Sequence, residues 1–85
     1  MPVDGQLGPD FEVIIPLCQR ELDIKYPEYG NDWIGFKSDY WVPRIRNEVD
    51  EYKTSMSKAS EKRKLLNIIN LAAMAYQNLQ KEHLL

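Results

Sequence analysis

Only one cysteine, Cys18, and one histidine, His83, occur among these 85 residues. A lone cysteine closes no intrachain disulfide, and one histidine assembles no Cys/His zinc set. His83 stands close to the C-terminal end, where chains fray, so catalysis resting on a histidine base is not expected. Both shortages fit a reducing, cytoplasmic setting. No run approaches the about 18 consecutive apolar residues of a membrane span, which argues against a membrane partner. The opening MPVDGQLGPD carries acids and glycines instead of an apolar core and does not read as a signal peptide. A net charge of −2 lacks the basic excess that nucleic acid demands of a partner. Any chemistry is left to carboxylates, with a divalent cation as their natural companion.

The apolar share of 44% and the charged share of 28% are those of an ordinary globular chain. Its length allows one domain, which buries little more than about 60% of its unfolded surface. Self-association is a common remedy at this size. Residues 1–9 read as a flexible arm and residues 10–85 as a single all-α domain of three helices, completed by homo-oligomerisation.

Phe11, Ile14, Ile15, Cys18, Leu22 and Tyr26 recur at helical spacing and predict a first helix over about residues 10–26. Pro16 either kinks it or marks its true start. Residues 26–36, punctuated by Pro27, Gly30 and Gly35, read as a loop rich in rings: Tyr26, Tyr29, Trp33 and Phe36. These rings either cap a small core or, Trp33 foremost, wall a pocket. Ser38 or Asp39 can cap a second helix, with Pro43 near its first turn. On that helix Trp41, Ile45, Val49, Tyr52 and Met56 fall within an arc of about 80°, the expected core face. Residues 57–60 form a turn in which Ser57 or Ser60 caps a third helix running to about Gln80. Its stretch LLNIINLAAMAY is apolar over more than half the circumference, more than two short neighbours can cover.

The segment NEVDEY places Glu48, Asp50 and Glu51 on the second helix. Glu48 borders the apolar arc, Glu51 projects beside it at i+3, and Asp50 points the opposite way. Two carboxylates at that spacing can share a hard cation, which prefers oxygen ligands. The plainer alternative is an i,i+4 ion pair of Glu48 with Arg44, which needs no metal. On the third helix Asn67 and Asn70 share a polar strip with Arg63, Lys64, Asn78 and Lys81, either a wet face or, since Leu71 and Met74 fall on the same strip, one partly covered beside Glu48. Lys58, Lys62, Arg63 and Lys64 gather at that helix's start, either a solvated basic turn or a phosphate site.

The run W-x-x-R-I-x-N-E-V-D-E-Y, a short polar turn and the helix N-I-I-N-L-A-A-M-A-Y together resemble the MazG-like nucleotide pyrophosphohydrolases; KYPEYGNDW is similar to the loop before the metal-binding helix in small members. The likeness covers roughly residues 25–78. It implies an all-α helical hairpin plus an N-terminal helix, and cleavage of nucleoside triphosphates to monophosphate and pyrophosphate. In that family E-x-x-E on one helix and E-x-x-D on the next bind Mg²⁺ around the triphosphate. Glu48 and Glu51 match the first pair. Lys64 and Asn67 fall at the second, so that half of the metal site is degenerate. The resemblance implies Mg²⁺ (or Mn²⁺) at Glu48 and Glu51, nucleotide phosphates near Lys58, Lys62, Arg63, Asn70 and Trp33, and weak or lost hydrolysis. The alternative is a non-enzymatic, oligomeric scaffold that keeps only the helical architecture.

Overall fold

The computed structural model describes residues 8–30 and 33–84, apart from the side chains of Tyr29 and residues 81–84. The arm expected before residue 8, the Tyr29 ring and the His83 side chain lie outside the described residues. Three helices follow in order: α1 (Phe11–Tyr29), α2 (Ser38–Lys53) and α3 (Lys58–Leu84). No strand occurs among the described residues. α1 and α2 each pack against α3 and not against each other, so α3 is the spine of the molecule.

The expected loop over residues 26–36 is shorter than its prolines suggested, because α1 continues through both Pro16 and Pro27 to Tyr29. A helical proline deprives the carbonyl four residues earlier of its donor. Here those carbonyls belong to Glu12 and Asp23, both exposed residues, where water can serve instead. Gly30 then ends the helix at φ +58°, in the left-handed region, its N–H donating to the Tyr26 carbonyl at 2.7 Å.

Ser38 is the first residue of α2, not its cap. Lys37 holds the cap position without a side-chain hydrogen bond, and Asp39 supplies the favourable first-turn charge. At the far end Ser57 Oγ accepts from the Ser60 N–H at 3.1 Å, which makes Ser57 the residue that caps α3. α3 runs on past Gln80 to Leu84.

Trp41, Leu71 and Met74 form the buried core, with Leu22, Trp33, Phe36, Tyr40, Ile45 and Ala75 packed around them. The rings of Trp33 and Tyr40 meet Trp41 edge to face at 6.2 Å and 4.8 Å between centroids, the arrangement that ring quadrupoles favour. Trp41 Nε1–H donates to the Phe36 carbonyl at 3.1 Å, so the indole leaves no polar atom stranded. The expected face of α2 holds at Trp41 and Ile45 but not at its end. Met56 is 97% exposed because α2 stops at Lys53, leaving Met56 in the turn, and Val49 is also exposed.

On α3 the covered alternative holds: Asn67, Asn70 and Asn78 are buried together with Leu71 and Met74. Each carboxamide finds a partner on a different neighbour. Asn67 Nδ2 donates to Glu48 of α2 at 3.1 Å, and Asn70 Nδ2 to the Cys18 carbonyl of α1 at 2.9 Å. Asn78 accepts from the Gly35 N–H at 2.9 Å and donates to the Trp33 carbonyl at 2.9 Å, which pins the loop.

Trp41→Ala is expected to cost about 3–5 kcal/mol, as deletion of a buried aromatic does. Trp33→Ala should cost less, since Trp33 is only half-buried at the edge of the core. Chemical denaturation of the two variants checks this; a larger loss for Trp33→Ala would contradict the packing described.

Candidate functional site

Glu48 and Glu51 stand one helical turn apart on α2 and face α3. The side chain that meets them is Lys64. Its Nζ lies 2.6 Å from Glu51 Oε1 and 3.9 Å from Glu48 Oε1. Asn67, one turn further along α3, donates to that same Glu48 oxygen, and Asn47 Nδ2 donates to Glu51 Oε2 at 3.0 Å. Glu51 thus accepts on both oxygens, whereas Glu48 accepts the Asn67 amide on Oε1, the oxygen that also faces the ammonium. Asp50 is exposed.

The hydrogen bond from Lys64 holds the Glu51 carboxyl below the ordinary glutamate value, against the opposing effect of partial burial. The same bond raises the Lys64 ammonium above its ordinary value, with the charge of Glu48 adding to it. Arg44 does not provide the pairing expected within α2. Its guanidinium lies 4.2 Å from the centre of the Tyr40 ring, and Glu48 is paired from α3 instead.

The orientation of Asn67 bears on what the site can hold. With the Glu48 carboxylate on one side, the amide must present its NH₂ there, since an oxygen would meet an oxygen. Asn67 Oδ1 therefore faces away from the acid pair, buried and without a hydrogen-bond partner. A buried acceptor left unmade costs about 1–3 kcal/mol. No group of three or more His, Cys, Asp or Glu among the described residues is disposed to hold a metal ion.

A cleft of about 380 Å³ opens beside the pair, where α1 and α2 splay apart, and Glu48 and Glu51 line it with Lys25, Glu28, Arg44 and Asn47. Lys25 and Glu28 of α1, which pair at 3.4 Å, were not foreseen as part of this site. Their only signal in the sequence is the KYPEY segment that precedes the acid-bearing helix. Asn47 had a clearer one, as it stands four residues before Glu51.

The basic cluster at the start of α3 does not act as a unit. Arg63 turns back to α1, its Nη2 3.0 Å from Glu21 Oε2 and its Nε 3.3 Å from both oxygens. Glu21 is buried, and its hydrogen bonds raise the Arg63 guanidinium above its ordinary value. Lys64 is committed to the acids, whereas Lys58 and Lys62 are exposed. Asn70 serves α1, and Trp33 lines a separate apolar groove between α1 and α3. Of the residues expected around a nucleotide, the structure brings together Glu48, Glu51, Lys64 and Asn67. Lys58, Lys62, Arg63, Asn70 and Trp33 are not part of that group.

Glu51 lies below its unfolded value near 4.5, so its stabilising contribution is present above that pH and is lost as pH falls through the folded-state value. Lys64 lies above 10.5, so its contribution is full below that pH and is lost as pH climbs through the folded-state value. The pair therefore supports the fold between these limits. Lys64→Gln is expected to flatten the acid side of the stability profile, read as melting temperature from about pH 3 to 7. An unchanged acid limb would show that the ion pair contributes nothing. No protein-family model, curated protein or solved structure matches this chain.

Proposed function

We propose that this chain is a non-enzymatic, self-associating helical scaffold that keeps the architecture of the MazG-like pyrophosphohydrolases and has exchanged their metal for an internal cation. The observation that carries the reading is the Lys64 ammonium, 2.6 Å from Glu51 and 3.9 Å from Glu48. An ammonium offers three donors and no lone pair. It offsets one of the two carboxylate charges from within the fold, at the edge where a shared cation would sit. The donor set does not fit Mg²⁺ or Mn²⁺ in this arrangement: the Lys64 ammonium stands at the Oε1 atoms of both carboxylates, and Asn67 turns its NH₂ rather than its oxygen toward them.

A second reading retains nucleotide binding without efficient hydrolysis. It is favoured by the cleft, where Lys25 and Arg44 place cations beside Glu48 and Glu51. Mg²⁺ is commonly held by one or two carboxylates plus waters and phosphates, so this reading needs Lys64 to swing aside when a nucleoside triphosphate arrives with its cation.

The two readings separate in one set of melting curves. Under the first, nucleoside triphosphates with Mg²⁺ or Mn²⁺ leave the melting temperature of the parent unchanged; a rise would favour the second. The double change Lys64→Glu with Asn67→Asp places two carboxylates opposite the first pair. Without metal these acids repel, and the variant should melt below the parent. Metal at 100 times its dissociation constant adds about 2.7 kcal/mol, or about 10 °C or more for a domain this small. Adding Glu48→Ala should abolish that rescue, whereas Asp50→Ala should leave it intact. The absence of any metal-dependent rise in the double variant would remove the link to a four-acid ancestor.

A further inference from the structure

The acid pair of α2 carries two charges, and Lys64 supplies one cation. The Lys64 ammonium and the Asn67 amide both meet Glu48 at Oε1, so a mostly covered carboxylate shares its ionic partner with Glu51. A second cation stands across the cleft of about 380 Å³. Lys25 and Glu28 of α1 line one wall, and Arg44, Glu48 and Glu51 of α2 line the other, so each wall offers both signs. The hydrogen bond from Lys64 holds the Glu51 carboxyl low, and the charge of Lys25 adds to that effect across the gap.

We propose that the last turns of α1 are a clamp, which bends where Pro27 breaks the helical ladder, carries Lys25 onto Glu48 and Glu51 as a second internal cation, and shuts the cleft. The clamp rests on the reading of Lys64 as an internal cation and gives the acid pair a regulation: low ionic strength closes the cleft and high ionic strength opens it.

Three observations support the movement. α1 is fastened to α3 ahead of the clamp, where the Cys18 carbonyl accepts from Asn70 at 2.9 Å and Glu21 is held by Arg63 at 3.0 Å. Lys25 and Glu28 follow both anchors, and little packing holds the segment that carries them, with Ile24 57% and Tyr26 44% exposed.

The second observation is the break itself. Pro27 deprives the Asp23 carbonyl of its helical donor, and sharp bends in helices gather at such positions. The unmade bond spans residue 25, just past the anchors.

The third is that the present partners are easily exchanged. Among the described residues Lys25 and Glu28 form ion pairs only with each other, at 3.4 Å, and the Glu28 side chain is 68% exposed. Arg44 rests on the Tyr40 ring and makes no ion pair among the described residues. Side chains three apart on a helix project to the same side, so one movement sets Lys25 against the acids and Glu28 against Arg44. Each exposed pair shifts a population by no more than a few-fold. Open and closed forms therefore coexist, in proportions that salt can tune.

Spin labels at Ile24→Cys and Arg46→Cys in a Cys18→Ala background report the width of the cleft from exposed positions outside its lining. At about 10 mM salt, where charges act over about 30 Å, the distance distribution should contain a shorter component beside the open one. At about 1 M salt, where screening is complete within about 3 Å, that component should fall at least about threefold, the scale of one exposed pair. At low salt Lys25→Gln should lower it by a similar factor, whereas Lys25→Arg should keep it. Glu28→Lys should lower it too, and adding Arg44→Glu should restore it. Pro27→Ala, which returns a donor to the Asp23 carbonyl, should reduce closure by stiffening the helix. Should the labelled chain fail to fold, as circular dichroism would show, acetylation of the unlabelled parent at fixed pH decides the matter. Mapped by mass spectrometry, the rate at Lys25 relative to exposed Lys58 should rise at least about threefold from low to high salt. A single distance that salt does not move, or a Lys25 rate indifferent to salt, would overturn the clamp and leave the Lys64 reading to the melting curves. A shorter component that survives Lys25→Gln would overturn its ionic mechanism.

Discussion

Three buried carboxamides on one side of α3 decide how this small protein is put together. Asn67 reaches α2, Asn70 reaches α1 and Asn78 reaches the loop between them. An amide carries a donor and an acceptor at fixed angles, so it specifies a partner where an aliphatic group would accept any apolar surface. α1 and α2 pack on α3 and not backbone to backbone on each other, so the position of each depends on how α3 is rotated, and the amides set that rotation. The aromatic cluster follows from it. Leu71 and Met74 are brought under Trp41, and the Trp33 loop is held down by both polar atoms of Asn78.

The acid pair sits within this frame and depends on it. Lys64 is one turn before Asn67 on α3, so the rotation that seats the amide against Glu48 also seats the ammonium against Glu51. A lysine on a flexible stem would gain little from an exposed pair, where the median contribution is about 0–1 kcal/mol. Here Glu48 and Lys64 are both mostly covered, and removal of the cation would leave two adjacent carboxylates with only amide donors. Glu21 with Arg63 repeats the pattern on the other side of the helix, a covered carboxylate held by a more exposed cation. Each neighbour of α3 is thus fastened by one amide and one ion pair.

Much of this was legible in the sequence. Helical periodicity identified three helices and Trp41 as core and narrowed the α3 cap to Ser57 or Ser60, because those features depend on local spacing and on a side chain with nowhere else to go. The juxtaposition of Glu48 and Glu51 with Lys64 and Asn67 was also foreseen, but only through the likeness of short motifs to a family, not through any property of the four residues. What spacing could not show was the inside of α3. A helical wheel scores asparagine as polar and leucine as apolar, so only Leu71 and Met74 on the same strip hinted that Asn67, Asn70 and Asn78 are covered. They are covered because a carboxamide that meets a carbonyl or a carboxylate is no longer polar surface. Pro16 and Pro27 misled for a related reason: their cost depends on whether water can reach the carbonyl they abandon, and here it can.

The magnitudes show what holds α3 at this rotation. The amide bonds of Asn67, Asn70 and Asn78 contribute about 0.5–1.5 kcal/mol each, net of what water would offer. Full burial of a leucine- or isoleucine-sized side chain contributes about 1.5–3 kcal/mol, and the outer face of α3 holds Leu65, Ile69, Tyr76 and Leu79 at least two-fifths exposed. A helix isolated in water would gain by rolling these inward and letting the asparagines hydrate, except that the roll also expels Leu71 and Met74 and breaks the pairs at Glu21 and Glu51. The exposed part of those four side chains amounts to about two buried ones, which Leu71 and Met74 already match, so the amide bonds and ion pairs decide in favour of the observed rotation. Directional bonds hold the inside and apolar area is reserved for the outside, a division of roles suited to a chain too short to build a large core of its own.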